Sequence, residues 1–122
     1  MLSEKEIKEY RAGWKKRKLK EEKKYRQKKE EGRQKAFKIA RFLKNEYDIN
    51  KVILFGSLSK KSDRQLHEHS DIDLAYDGNK IDYLDMIGKA ADIAAPFKVD
   101  ILPLSQASPA LKKRIKYYGE EL

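Results

Sequence analysis

The sequence predicts a mixed α/β fold, a small mixed β-sheet with flanking helices, preceded by a long N-terminal helix. Three observations carry the prediction. Short β-branched runs (KVILF at 51–55, IDLAY at 72–76 and FKVDIL at 97–102) alternate with segments whose apolar residues recur at helical spacing. Breaks rich in Gly, Pro, Asn and Asp separate them. The first 35 residues are poor in apolar side chains and rich in Lys, Glu, Arg and Gln, which are good helix formers.

Residues 1–35 read as a basic helical extension and residues 36–122 as the single folded domain. In the extension, Ile7, Tyr10 and Trp14 share one helical face, and beyond Trp14 the stripe fails. Gly13 and Gly32 are expected weak points in this helix, each costing roughly 1 kcal/mol relative to Ala. No heptad is sustained, which argues against a coiled coil. Ala36, Ala40, Leu43 and Tyr47, widened by Phe37 and Ile39, make the next helix amphipathic until the polar stretch 45–50. Lys51–Phe55 reads as a buried strand and 72–76 as a second, closed by the turn signal Asp77-Gly78-Asn79. Residues 81–95 read as a helix with Tyr83 or Leu84, Ile87 and Ala91 facing inward, stopped by Pro96. Phe97–Leu102 is a third strand, stopped by Pro103. Ser108-Pro109 opens a last helix over 110–118, with Pro at the first helical position.

Composition sets bounds on function. A chain of 122 residues suits one domain. It has no cysteine, which excludes disulfide and thiolate chemistry and fits a reducing cytoplasm. No apolar run approaches the ~20 residues needed to span a bilayer, so no membrane role is expected. The net charge of +9 is uneven: residues 1–35 hold 15 Lys/Arg and 7 Asp/Glu, the remaining 87 residues 14 and 13. The basic arm is either a solvated helix or a surface for a partner protein or nucleic acid, with Trp14 and the tyrosines as anchors.

The chemistry is carried by LFGS at 54–57, SDIDL at 70–74 and Asp100. Alternate residues of a strand share a face, so Asp71 and Asp73 point one way while Ile72 and Leu74 point the other. Asp100 likewise shares its face with Lys98 and Leu102, opposite Val99 and Ile101. If the second and third strands are neighbours, three carboxylates meet on one patch and repel. A hard divalent cation relieves such a cluster, and Mg²⁺ typically uses a few carboxylates together with substrate phosphate oxygens. At the end of the first strand, Gly56 permits a sharp turn and close approach to a ligand. Ser57 adds a hydroxyl, and a short helix beginning there would offer N–H groups to a triphosphate. Lys60 and Lys61 add positive charge nearby.

This set of residues resembles the nucleotidyltransferase superfamily with a polymerase-β-type palm, and in its small size the minimal nucleotidyltransferase (MNT) branch. The resemblance covers residues 36–104. It implies that Asp71 and Asp73 ligate Mg²⁺, that Asp100 binds the catalytic metal and helps activate the attacking hydroxyl, and that Gly56, Ser57 and Lys60 hold the nucleotide phosphates. Two features depart from the family pattern: the Leu58–Ser70 loop is longer than usual, and Lys61 replaces the Gly that commonly follows the basic residue. Relatives of this size are commonly antitoxins paired with HEPN-type ribonuclease toxins. The resemblance therefore implies transfer of AMP from ATP to a tyrosine hydroxyl of such a toxin. Two other readings stand beside it: a small-molecule nucleotidyltransferase of the antibiotic-modifying kind, and a non-catalytic module that masks its partner by contact. His67 and His69 have no third ligand nearby and read as solvated loop residues, as do Asp63 and Glu68. Lys112, Lys113, Arg114 and Lys116 read as a solvated basic face, and Tyr117 and Tyr118 as packing of the last helix.

Overall fold

The computed structural model describes residues 2–61, 71–78 and 82–122. Glu4–Tyr47 form one unbroken helix, α1, so the basic arm and the amphipathic segment after it are a single element of 44 residues. Its start is set locally. Ser3 caps it, accepting a hydrogen bond from the Glu6 N–H at 3.2 Å, and Glu4 and Glu6 place negative charge at the positive end of the helix dipole. Asp48, in the left-handed region at φ 54°, ends it.

Among the described residues, only the C-terminal part of α1 is buried against the domain. Ala36, Ile39, Ala40 and Leu43 are buried there, as the spacing predicts. Burial begins earlier than the apolar pattern suggests, because Gly32 and Arg33 are buried too. A Cβ on Gly32 would stand 3.0 Å from Leu58 Cδ1 and 3.5 Å from Phe97 Cε1. Gly32 is thus a point of close approach rather than the expected weak point. Gly13, by contrast, has nothing within 4 Å.

Strands β1 (Lys51–Phe55), β2 (Ile72–Asp77), β3 (Val99–Pro103) and β4 (Glu120–Glu121) form one sheet in the order β3-β2-β1-β4. β1 pairs antiparallel with β2 and with β4, while β2 and β3 are parallel. The parallel pair requires a crossover, supplied by helix α2 (Tyr83–Ala94). Asp82 caps α2 through the Asp85 N–H; the expected start at Ile81 lies outside the described residues. The inward face of α2 differs from the expectation. Met86, Ala90 and Ala94 are buried and Ile87 is half-buried, whereas Ala91 and Leu84 are exposed, Leu84 by 82%. Alanines carry little weight in a hydrophobic pattern, so a stripe built on Ala90 and Ala94 was outweighed by the larger but solvent-facing Leu84. Tyr83 keeps a tertiary contact through its hydroxyl, which donates to the Ile101 carbonyl at 2.8 Å.

The sheet is covered on both faces. Val52, Leu54, Ile72, Leu74, Tyr76 and Ile101 pack with α1 and α2 in the main core. On the other face Ala75, with Ile53, Phe55 and Leu102, meets Ala107, Leu111 and Ile115 at helix α3 (Pro109–Tyr118). The Ser108 cap and Pro109 at the start of α3 follow the expectation. Among the described residues no helix is long and apolar enough to cross a membrane.

Candidate active site

The register of the sheet builds the site. Asp73 of β2 pairs with Asp100 of β3 on one side and with Phe55 of β1 on the other. Paired residues on neighbouring strands project to the same face, so Phe55, Asp73 and Asp100 form one rung of side chains. The next rung, Ile53–Ala75–Leu102, packs into the cluster that includes Ala107, Leu111 and Ile115. On the Phe55 rung Asp100 is exposed, and Asp73 and Phe55 are half-buried. Two carboxylates on adjacent strands, whose backbones lie roughly 5 Å apart, therefore sit side by side on this face. Asp71 immediately precedes β2 and shares the parity of Asp73. The condition set by the sequence, that the second and third strands be neighbours, is met, and Asp73 and Asp100 pair on one face.

The turn after β1 leans on this rung. Gly56 opens a 3₁₀ turn, Gly56–Leu58, with φ +76°. A Cβ there would overlap Asp73 Oδ2 and stand 3.3 Å from Asp73 Cγ. Two independent constraints, a left-handed backbone and the closeness of a carboxylate, thus select glycine. The turn after β1 is therefore in direct contact with Asp73.

A second layer holds the turn in place, and sequence reasoning missed it. Arg33 on α1 donates to the Leu58 carbonyl at 2.9 Å and to both Glu120 oxygens at 2.7 and 2.9 Å. Its side chain is 7% exposed and that of Glu120 18%. Glu120 also accepts the Lys60 N–H at 3.1 Å. Ser59, fully buried, donates its hydroxyl to the Tyr118 carbonyl and accepts the Lys61 N–H. The guanidinium, both by hydrogen bonding and by its charge, pulls the Glu120 carboxyl down to about 2, against the cost of burial. The one signal available was Gly32-Arg33 itself, and in a run of Lys and Arg nothing distinguished that arginine from its neighbours.

The other expected residues are distributed as follows. Ser57 is half-buried in the turn, and Lys60 and Lys61 are exposed beside it. The N–H groups of Ser59, Lys60 and Lys61 are already engaged, with the Gly56 carbonyl, Glu120 and Ser59 Oγ. Lys60 therefore offers a ligand its ammonium rather than its backbone. His67, His69, Asp63 and Glu68 lie outside the described residues, as does most of the long loop. Among the described residues no three carboxylate or imidazole groups form a ready-made metal cage. The donor set still suits Mg²⁺, which takes one or two carboxylates and completes its octahedron with water and substrate phosphate oxygens.

The family model described as polymerase beta, nucleotidyltransferase matches residues 37–122. No curated protein matches the chain. Among solved structures the chain is similar to a chain of a mutant MntA–HpeT toxin–antitoxin complex, at 25% identity and TM-score 0.58, covering 70% of each chain. A toxin–antitoxin structure with AMP-PNP is similar at 27% identity and TM-score 0.57, again over 70% of both chains. A complex of tri-AMPylated Shewanella oneidensis HEPN toxin with MNT antitoxin shares the fold, at 23% identity and TM-score 0.53, over 74% of this chain and 70% of that one.

Proposed function

The chain belongs to the polymerase-β-type nucleotidyltransferase family, and from that premise we propose that it is an antitoxin that moves AMP from ATP to a tyrosine hydroxyl of a HEPN ribonuclease toxin. The observation that carries the proposal is the Asp73–Asp100 rung with Gly56 seated against Asp73. The similarity to toxin–antitoxin complexes, one of them with AMP-PNP, supports the partner and the nucleotide.

In this reading Gly56 and Ser57 line the triphosphate, and the Lys60 ammonium adds positive charge from the rim. Asp71, Asp73 and Asp100 are the residues that would hold Mg²⁺, which when bound neutralises charge on the phosphates and on the carboxylates. Asp100, the exposed member of the rung, faces the incoming acceptor and takes the phenolic proton. The phenolate oxygen bonds to the α-phosphorus, the bond from that phosphorus to the bridging oxygen breaks, and pyrophosphate leaves. The products are a tyrosyl–AMP phosphodiester and pyrophosphate. Ser57 donates to the departing phosphate, where charge accumulates. In this reading the toxin supplies its own tyrosine as the acceptor.

The test is incubation of the protein with labelled ATP, Mg²⁺ and the protein encoded by the adjacent gene, the candidate toxin. A mass increase of one or more AMP units on the toxin, absent with Asp73→Asn, is the expected result. Neutralisation that survives Asp71→Asn and Asp73→Asn would point instead to masking by contact. Label on a small hydroxylated acceptor, with none on the toxin, would point to the antibiotic-modifying type of enzyme.

A further inference from the structure

The first half of α1 has the sequence of a polyanion-binding element. From Glu4 to Gln27 every residue except Gly13 is exposed, so about 36 Å of helix stands clear of the domain. Within it and just beyond, residues 11–29 hold eleven Lys/Arg and two Glu, a net of +9. That equals the formal charge of the entire chain. The rest of the protein is neutral, and its excess charge sits on 19 consecutive helical residues.

Such a segment opposes its own helix. Lys16–Lys20, Lys20–Lys23 and Lys20–Lys24 are like-charge pairs at spacings of three and four, each of which destabilises a helix. A row of anions along the segment removes that cost. The face carrying the aromatic residues is specific as well. Arg11, Trp14 and Lys18 follow one another at spacings of three and four, with Tyr10 four residues before Trp14, so cations flank an aromatic pair until Glu21 and Glu22 interrupt the face. Tyr10, Arg11, Trp14 and Lys15 line a shallow recess on it, with Trp14 57% and Tyr10 65% exposed.

We propose that this arm is a binding surface for single-stranded nucleic acid, with Trp14 and Tyr10 stacking on unpaired bases while the flanking Arg and Lys residues follow the phosphates. Cations flanking aromatics are what an unpaired strand requires, because each nucleotide presents a phosphate and a π-face. Other occupants fit less well. A second copy of the arm would bring +9 against +9. A protein interface core is depleted of Lys, yet eight of the eleven basic residues are Lys. A membrane-surface helix needs a broad apolar face, and this one has a narrow, interrupted stripe.

Trp14 is the sole tryptophan of the chain, so its fluorescence reports on this surface alone. The full-length protein is titrated with a 12-nucleotide oligouridylate, and separately with oligothymidylate, without nucleoside triphosphate. Saturable quenching is expected with at least one of them. The affinity should fall roughly a hundredfold between 50 and 200 mM salt if about five phosphates are neutralised. Trp14→Ala, followed by anisotropy of the labelled strand, should weaken binding about tenfold or more. Replacing Lys16, Lys20 and Lys24 with Gln should flatten the salt dependence. The proposal is overturned by absence of binding at 50 mM salt, by equal quenching with polyglutamate, or by an affinity that Trp14→Ala leaves unchanged. None of these outcomes bears on AMP transfer, which is read separately on the toxin.

Discussion

The Arg33 guanidinium grips the Glu120 carboxylate with two hydrogen bonds, at 2.7 and 2.9 Å, across 87 residues of chain. The same guanidinium holds the Leu58 carbonyl, and the same carboxylate holds the Lys60 N–H. One ion pair thus ties α1, the end of the chain and the turn after β1 into one unit. Removing either partner leaves the other charge largely buried and uncompensated. Arg33→Ala and Glu120→Ala should each lower stability by roughly 3 kcal/mol, measured by urea unfolding. Arg33→Lys should recover only part of it, because an ammonium cannot make the two parallel hydrogen bonds. Near wild-type stability for either alanine variant would mean that water replaces the clamp.

The same pair predicts an acid transition. Glu120 titrates at about 2 in the folded protein against an ordinary value of 4.5. A folded-state pKa below the unfolded one gives stability that is complete above pH 4.5 and is lost as the pH falls from there toward 2. The contribution is roughly 3 kcal/mol for a shift of this size. Urea midpoints taken between pH 6 and pH 3 should therefore drop more steeply for the wild type than for Glu120→Gln. Parallel curves would show that other carboxylates govern the acid limb.

Gly56→Ala is predicted to damage the site more than the fold. The substitution forces a side chain into a backbone at φ +76° and against Asp73 Oδ2. The backbone term alone is about 1–2 kcal/mol, and the clash pushes Asp73 off its rung. Loss of transferase activity should exceed what the fall in melting temperature accounts for, with the protein still folded by circular dichroism at 25 °C. Gly13→Ala, where nothing lies within 4 Å, should be tolerated and stabilise the helix slightly.

These residues also mark where sequence reading succeeds and where it stops. The three longer strands and the shared parity of Asp71 and Asp73 were legible because β-strands have period two and because Gly-Ser and Asp-x-Asp fall at strand ends, whereas the pairing of Asp73 with Asp100 was only a condition that the sheet order had to meet. The burial of Ala36, Ile39, Ala40 and Leu43 was legible for the same kind of reason, a helical period in which Ile39 and Leu43 anchor the two alanines. The inward face of α2 was not, since Met86, Ala90 and Ala94 give a weaker pattern than the exposed Leu84. β4 was illegible, being two glutamates held by pairing to Ile53 and Leu54 rather than by their own propensity. Arg33 and Glu120 look like surface charges in one dimension, and their function comes from contacts across the whole chain.

The acidic rung should cost stability when no cation is bound. Asp73 and Asp100 are directly paired on neighbouring strands, where like charges are destabilising by about 0.2–1 kcal/mol. Replacing Asp100 with Asn removes one charge at nearly constant shape. In the absence of divalent metal, Asp100→Asn should then melt higher than the wild type. Millimolar Mg²⁺ with ATP should raise the melting temperature of the wild type and leave that of the variant nearly unchanged. Activity should move the opposite way: if Asp100 takes the acceptor proton as proposed, Asp100→Asn should lose roughly a hundredfold or more in turnover. EDTA should abolish transfer by the wild type while leaving its complex with the toxin intact. A variant that is both less stable without metal and fully active would remove Asp100 from the site.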